Sequence, residues 1–220
     1  MLKGAGKMAM QETCAGSVGD GRFAAELTLG EARARLFALG NLGEDGGYSD
    51  AWVKVKLWRI PIVFPNTKGR RRAVRFHDLH HVLTGYPTTW RGEFEIAAWE
   101  IANGVGRYWE GWLLDLLGFA CGLVVFPRSV YRAFLRGRRS TNLYLEKWDE
   151  SILSVRVGEM RRRLRLNNSL DTAETQATSS DRAAFALWAA ASVFTYLGLG
   201  ALMLFPPLVL LGVLWLWLAS

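Results

Sequence analysis

From Ala183 to Ser220, 38 residues in all, the chain carries no charged side chain. An uncharged stretch of that length is too long for a soluble core helix and reads as a membrane anchor. Ala183 to Phe205 is 23 residues. As a helix it would measure about 34 Å, enough to cross a hydrocarbon core of roughly 30 Å. Pro206-Pro207 should break that helix. Leu208 to Ser220 would span only about 20 Å as a helix, short for a second pass. The expectation is a transmembrane hairpin with both ends cytoplasmic. The alternative is one span with a short interfacial tail. Arg161, Arg162, Arg163, Arg165 and Arg182 precede the span, and basic flanks stay inside. The rest of the chain is therefore expected on the cytoplasmic side of a cell membrane, anchored by the C-terminal segment.

The remainder is basic and rich in tryptophan. Lys and Arg number 27 against 20 Asp and Glu, for a formal charge of +7. The excess is gathered in Lys68–Arg75, Arg128–Arg139 and Arg156–Arg165. Such runs suit nucleic acid or anionic lipid. Tryptophan, present ten times, favours the membrane–water interface and tips the reading to lipid. No helix-turn-helix or finger pattern supports nucleic acid. Cys14 and Cys121 form no C-x-x-C pair, which argues against a disulfide framework or a thiolate zinc site and for a reducing compartment. The N-terminus shows no signal-peptide h-region, and Leu2 stands where N-myristoylation needs glycine.

Four regions follow. Residues 1–21 are Gly-rich without apolar periodicity and are expected to be disordered. Residues 22–166 should form a mostly helical domain. Thr28-x-x-Glu31 is a capping-box pattern that opens a helix, with Gly40 as its stop. Trp52 to Trp58 alternates as a strand, and Ile60 to Phe64 makes a second, with Pro61 at an edge. Helices are expected over about 72–83, from Thr88 or Thr89 to Asn103, over the apolar stretch Trp109–Phe126, over Val130–Arg136, and as an amphipathic helix over 151–166. Residues 167–182 read as a flexible linker and 183–220 as the membrane anchor. The fold class is mainly α: a helical metal-binding domain with a small N-terminal β-hairpin and a C-terminal transmembrane hairpin.

The chain's three histidines, His77, His80 and His81, fall within five residues. Neutral imidazole is the commonest metal ligand. At about 100° per residue, His77 and His81 lie roughly 40° apart on one helix face. That spacing lets two imidazoles share one ion. Asp78 lies about 60° beyond His81, and His80 about 60° to the other side of His77. His77, Asp78 and His81 are thus the candidate ligands, with His80 in a supporting or packing role. Glu93, early in the next helix, is the first acid able to close the set. Glu95 competes with it. Glu100, nearly in line with Glu93 but two turns on, could support the site from a distance. Two histidines and two carboxylates leave room for water or substrate and suit a divalent metal, zinc or iron. The pattern is neither H-E-x-x-H nor the E-x-x-H of di-iron bundles.

His77-Asp78-x-x-His81, eleven residues and then Glu93 resembles the H-D-x-x-H-x11-E signature of the coenzyme Q biosynthesis protein four family. The flanking HVLTGY at 81–86, the Gly92-Glu93 pair and RAFLRGRRSTNLYLEKWDESI at 132–152 are also similar to that family. The likeness covers about residues 70–166. It implies a mostly helical protein of ubiquinone (polyprenyl-quinone) biosynthesis that holds a divalent metal. The implied substrate is a prenylated aromatic-ring precursor or another isoprenoid lipid. The implied chemistry is oxidative decarboxylation and hydroxylation of the ring, in a membrane-bound assembly with other quinone-biosynthesis enzymes, a homodimer included. Arg75 or Arg91 could pair with the ring carboxylate, since guanidinium presents a matching fork. Trp109–Phe126 could line a lipid pocket or simply pack the core. Two further readings stay open: a non-catalytic lipid-binding scaffold whose metal staples two helices, and a metal-dependent lipid hydrolase.

Overall fold

The computed structural model describes residues 23–57, 60–166 and 177–219. The expected disorder of residues 1–21 and most of the expected linker lie outside those residues. The described chain is mainly helical with one small antiparallel sheet. Helix α1 (Leu29–Gly40) opens at the expected capping box. Thr28 Oγ1 accepts from the Glu31 N–H, and the Glu31 carboxylate accepts from the Thr28 N–H. Strands β1 (Trp52–Leu57) and β2 (Ile60–Pro65) pair antiparallel, with Val53 opposite Phe64 and Lys54 opposite Val63. Then come α2 (Lys68–Thr84), α3 (Trp90–Asn103), α4 (Trp109–Val125) and α5 (Pro127–Arg138).

Helix α2 begins earlier than the sequence suggests because Thr67 caps it, accepting from the Arg70 N–H at 3.1 Å. Its far end is held by arginines from two later segments. Arg161 donates to the carbonyls of Val82 and Leu83, both at 2.9 Å, and Arg136 donates to Thr84 at 2.8 Å. Those carbonyls have no partner within the helix, and cations at a helix C-terminus stabilise it by up to about 2 kcal/mol. The last turns of α2, which carry His80 and His81, are thereby fixed. Helix α3 starts at the Thr89 cap, packs between α4 and α5, and buries Trp99 completely. Phe76 of α2, Phe119 of α4 and Phe134 of α5 complete the centre of the core.

Three expectations are corrected. The amphipathic helix over 151–166 is instead a 3-10 helix (Glu150–Ser154) and a short α6 (Val157–Arg163). The break arises because residues 155–158 pair with the chain before α1. Leu29 N–H donates to Val155 O, Val157 N–H to Leu27 O and Gly158 N–H to Ala25 O, all within 2.9 Å. Those tertiary bonds compete with helix continuation. The flexible linker does not extend to residue 182. Thr178 and Asp181 cap α7 (Ser179–Ala219), with Thr178 donating to the Asp181 carboxylate through its N–H and hydroxyl. Finally, α7 continues through Pro206-Pro207, so there is no hairpin. Proline removes a helix hydrogen bond, but a turn inside an uncharged stretch would orphan several backbone groups at once, and apolar helices tolerate the smaller loss.

The 41 residues of α7 would extend about 62 Å, twice a hydrocarbon core. Its first turns are spent on the domain. Asp181 pairs with Arg138 and Arg139, both at 3.3 Å. Phe185 packs edge-on against Phe119, Tyr131 and Phe134, and Trp188 stacks on Trp112 at 5.2 Å. Ser192 is still fully buried. Beyond it Phe194 is 79% exposed and Leu197 63%. Ser179–Leu202 is the stretch whose length and composition suit a membrane crossing.

Candidate metal centre

Helix α2 presents His77 and His81 one turn apart, and the first turn of α3 presents Glu93. The two imidazole Nε2 atoms lie 3.1 Å apart. Glu93 places Oε2 at 3.4 Å from His77 Nε2 and Oε1 at 3.4 Å from His81 Nε2. Ligands about 2.05 Å from one ion stand roughly 3.3 Å apart in a tetrahedron and roughly 2.9 Å apart in an octahedron. The two imidazole nitrogens and the two Glu93 oxygens thus stand at separations that ligands of one ion could adopt.

The other imidazole nitrogens fix which lone pairs face inward. His81 Nδ1 donates to the Tyr86 carbonyl at 2.8 Å. His77 Nδ1 donates to Glu100, 3.1 and 3.2 Å from its two oxygens. Both Nε2 atoms are then left as acceptors aimed at the same point. A metal-binding histidine needs this arrangement, with the second nitrogen anchored to a carbonyl or carboxylate. Without a metal, two acceptors in contact must share a proton. Burial opposes charge on His77, yet Glu100 and Glu93 outweigh it and raise its pKa well above the ordinary value. Burial likewise favours a neutral Glu93, but His81 and His77 hold its carboxyl below the usual range.

Beneath this face sits Glu100, fully buried. His80 Nδ1 donates to it at 2.6 Å and Tyr144 Oη at 3.0 Å. His80 in turn accepts the Leu143 N–H at 3.0 Å through Nε2. Burial penalises the Glu100 charge, and His77 and His80 overcome that penalty and keep its pKa low. Asp115, from α4, brings an oxygen within 4.8 Å of ligand atoms of both His77 and Glu100. Burial and the Glu100 charge push its carboxyl well above the usual range.

Asp78 is in neither group of ligand atoms, though its charge acts on those of His77, His81 and Glu93. Its carboxylate accepts from the Tyr48 phenol, which reaches it from the connection between α1 and β1. Neither arginine singled out in the sequence is in contact with the cluster. Arg75 pairs with Glu150 at 3.6 Å and lies over the Tyr48 and Trp148 rings. Arg91 pairs with Glu95 at 3.1 Å and is mostly exposed. The arginine nearer the site is Arg70. It bonds Asn66 Oδ1 at 2.9 Å and lies over Phe64. Burial lowers its pKa, against the attraction of Asp78, Tyr48 and Glu93. Nothing in the run KGRRRAVR marks it out from its neighbours. Asp115 and Tyr144 were equally invisible, since only the packing of α4 and the 141–148 segment on α3 brings them in.

Among the described residues, fold and site together define a mainly helical protein with His, Glu and Asp residues grouped so that they could hold a metal ion and with one helix long and apolar enough to cross a membrane. Comparison with protein-family models, curated proteins and solved structures finds no match to the chain.

Proposed function

We propose that the chain is a membrane-anchored, metal-dependent protein of ubiquinone (polyprenyl-quinone) biosynthesis, working on the cytoplasmic side of the membrane. Its substrate is a prenylated aromatic-ring precursor whose ring carboxyl would leave as CO2 and be replaced by hydroxyl, dioxygen supplying the oxygen atom and a two-electron reductant taking the other atom to water. The observation that carries the metal reading is the His77–His81–Glu93 face, whose separations and anchored tautomers suit one divalent ion. The quinone pathway rests on the sequence resemblance, in which Asp78 is a fourth ligand. When bound, zinc or iron supplies a Lewis-acid centre for the carboxylate or phenolate of an acidic ring. The protein's own part is to orient the imidazoles through Tyr86 and Glu100, to keep Glu93 charged, and to hold the domain at the bilayer through α7.

A second reading uses the same geometry. An ion shared by α2 and α3 could staple two helices of a non-catalytic lipid-binding scaffold. A Glu93→Gln variant separates the two. The enzyme reading expects turnover to vanish while fold and partner binding persist; the scaffold reading expects stability and assembly to fall together. Metal analysis of the detergent-purified chain and mass spectrometry of its co-purified lipid test the proposal directly. Well under one metal per chain would sink the site. A quinone precursor supports the pathway, whereas a phospholipid favours a lipid hydrolase.

A further inference from the structure

Asn66 stands between α2 and the connection that precedes β1, and its buried amide ties the two together. Nδ2 donates to the carbonyls of Gly47 at 3.1 Å and Asp50 at 2.8 Å, while Oδ1 accepts from Arg70 Nη1 at 2.9 Å. The Phe64 ring lies against the same guanidinium, its centroid 5.7 Å away. Arg70 is thus fixed on one edge and one face. Its other edge is free. Nε is buried without a hydrogen-bond partner, and Nη2 has none among the described residues. Asp78, whose charge acts on Arg70, is taken by the Tyr48 phenol. The Nε–Nη2 edge of a guanidinium is a fork that a carboxylate meets with two parallel bonds. A buried donor left without an acceptor costs about 1–3 kcal/mol, so an unused fork points to a missing acceptor.

Arg70 lines a cleft to which the connection contributes Gly46, Gly47 and Asp50, and β1 contributes Trp52, Val53 and Lys54. Lys54 is exposed and has no partner among the described residues. The Asp50 carboxylate pairs with neither cation. The cleft therefore sets two cations against one acid, beside the apolar side chains of Trp52 and Val53. That combination suits a carboxylate carried on an apolar body. Arg70 also belongs to the metal side of α2. It precedes His77 by seven residues, so it projects within about 20° of the same direction, about 10 Å away along the helix axis.

We propose that the free edge of Arg70, with Lys54 on the same cleft, is a carboxylate subsite that takes the acid group of an apolar organic acid. Asn66 holds both the guanidinium and the facing wall before a ligand arrives, so the fork need not be ordered on binding. The proposal deepens the function given above and rests on it only for the nature of the acid, a prenylated aromatic ring. The ring carboxylate is then held by the protein, and the phenolate is left for the ion.

Calorimetric titrations of the full chain in detergent, with zinc and again with chelator, test this. They compare a geranylated hydroxybenzoate with its methyl ester, which keeps ring and chain but carries no carboxylate. The parent should bind the acid more tightly than the ester in both conditions. Arg70→Gln should weaken the acid by about tenfold or more and leave the ester within about twofold. Arg70→Lys should restore part of the loss, since it returns the charge without the fork. Lys54→Gln should weaken the acid about two- to threefold, an effect that fades in high salt. Octanoate, an acid without a ring, separates the subsite from the pathway. If it binds as tightly as the ring acid and depends equally on Arg70, the subsite stands and the quinone reading falls. Equal losses of acid and ester in Arg70→Gln would make Arg70 a packing residue and overturn the proposal. An acid preference that survives Arg70→Gln but vanishes with chelator would assign the carboxylate to the ion and overturn it too.

Discussion

Replacing Glu100 by Gln tests whether the buried carboxylate governs the metal face or merely fills the core. The carboxylate accepts from His77, His80 and Tyr144 at once. Glutamine keeps the shape but offers one oxygen, and its amide turns two hydrogens toward groups that donate. Tyr144 can rotate its hydroxyl to accept from the amide, so that bond survives in weaker form. His80 has no such freedom, because its Nε2 already takes the Leu143 N–H. Both imidazole N–H groups therefore lose their charged partner in a buried site and share at best the one neutral oxygen at the Oε1 position. Hydrogen bonds to charged groups contribute about 1.5–3 kcal/mol each, so a stability loss of about 2–4 kcal/mol is expected. The same change frees His77 to adopt the other tautomer and turns its Nε2 into a donor. Metal affinity should then fall about 10- to 100-fold, the usual effect of removing a partner that orients a ligand.

Two measurements on the full chain in detergent separate these effects: urea unfolding with chelator present, and competition for zinc against a fluorescent chelator. Tyr144→Phe is the control, since it removes one acceptor contact of Glu100 without touching either imidazole. It should cost about 1 kcal/mol in stability and change zinc affinity by less than about threefold. If Glu100→Gln loses the expected stability yet binds zinc within about twofold of the parent, Glu100 does not orient the ligands and the argument fails.

Three more expectations follow from other parts of the structure. A methyl group at Gly92 would run into the Pro87 carbonyl oxygen, so Gly92→Ala should displace the first turn of α3, lower stability by about 1–3 kcal/mol and weaken metal binding through Glu93; unchanged unfolding and zinc titrations would show that the turn yields freely. Asp181→Asn removes the charge that joins Thr178, Arg138 and Arg139, and hydrogen exchange over residues 179–192 should accelerate while exchange in α3 stays put. The metal-free domain should also respond to pH on both sides. The raised pKa of His77 adds stability that is complete below its ordinary 6.5 and disappears as pH rises through the folded value; the lowered values of Glu93 and Glu100 add stability present above 4.5 and lost as pH falls. Urea midpoints with chelator should therefore peak between those values. Bound zinc, which replaces the shared proton, should abolish the decline at higher pH; a decline that persists with zinc would place the titration elsewhere.

What could be read from the sequence was whatever local rules decide. The capping box at Thr28 and Glu31, the turn at Gly85 and the cap at Thr89 set element ends by bonds within four residues, and the helices form there. The 40° offset of His77 and His81 is a property of any helix, and it brings their Nε2 atoms into contact. Beyond one helix the sequence gives no distances. Glu93 and Glu100 lie almost in line on α3, yet they meet different nitrogens of His77, because the imidazole lies between them with one nitrogen toward each. That division of labour makes Glu93 the partly exposed ligand and Glu100 the buried orienting charge. It also explains why the cluster tolerates so much charge. The proton shared by His77 and His81 offsets one carboxylate charge, and burial and Glu100 push the Asp115 carboxyl above its usual range. Asp78 shows the limit of angular reasoning. Its helical position is compatible with ligation, but the Tyr48 phenol, thirty residues earlier in the chain, donates to its carboxylate, and no periodicity within α2 encodes that approach.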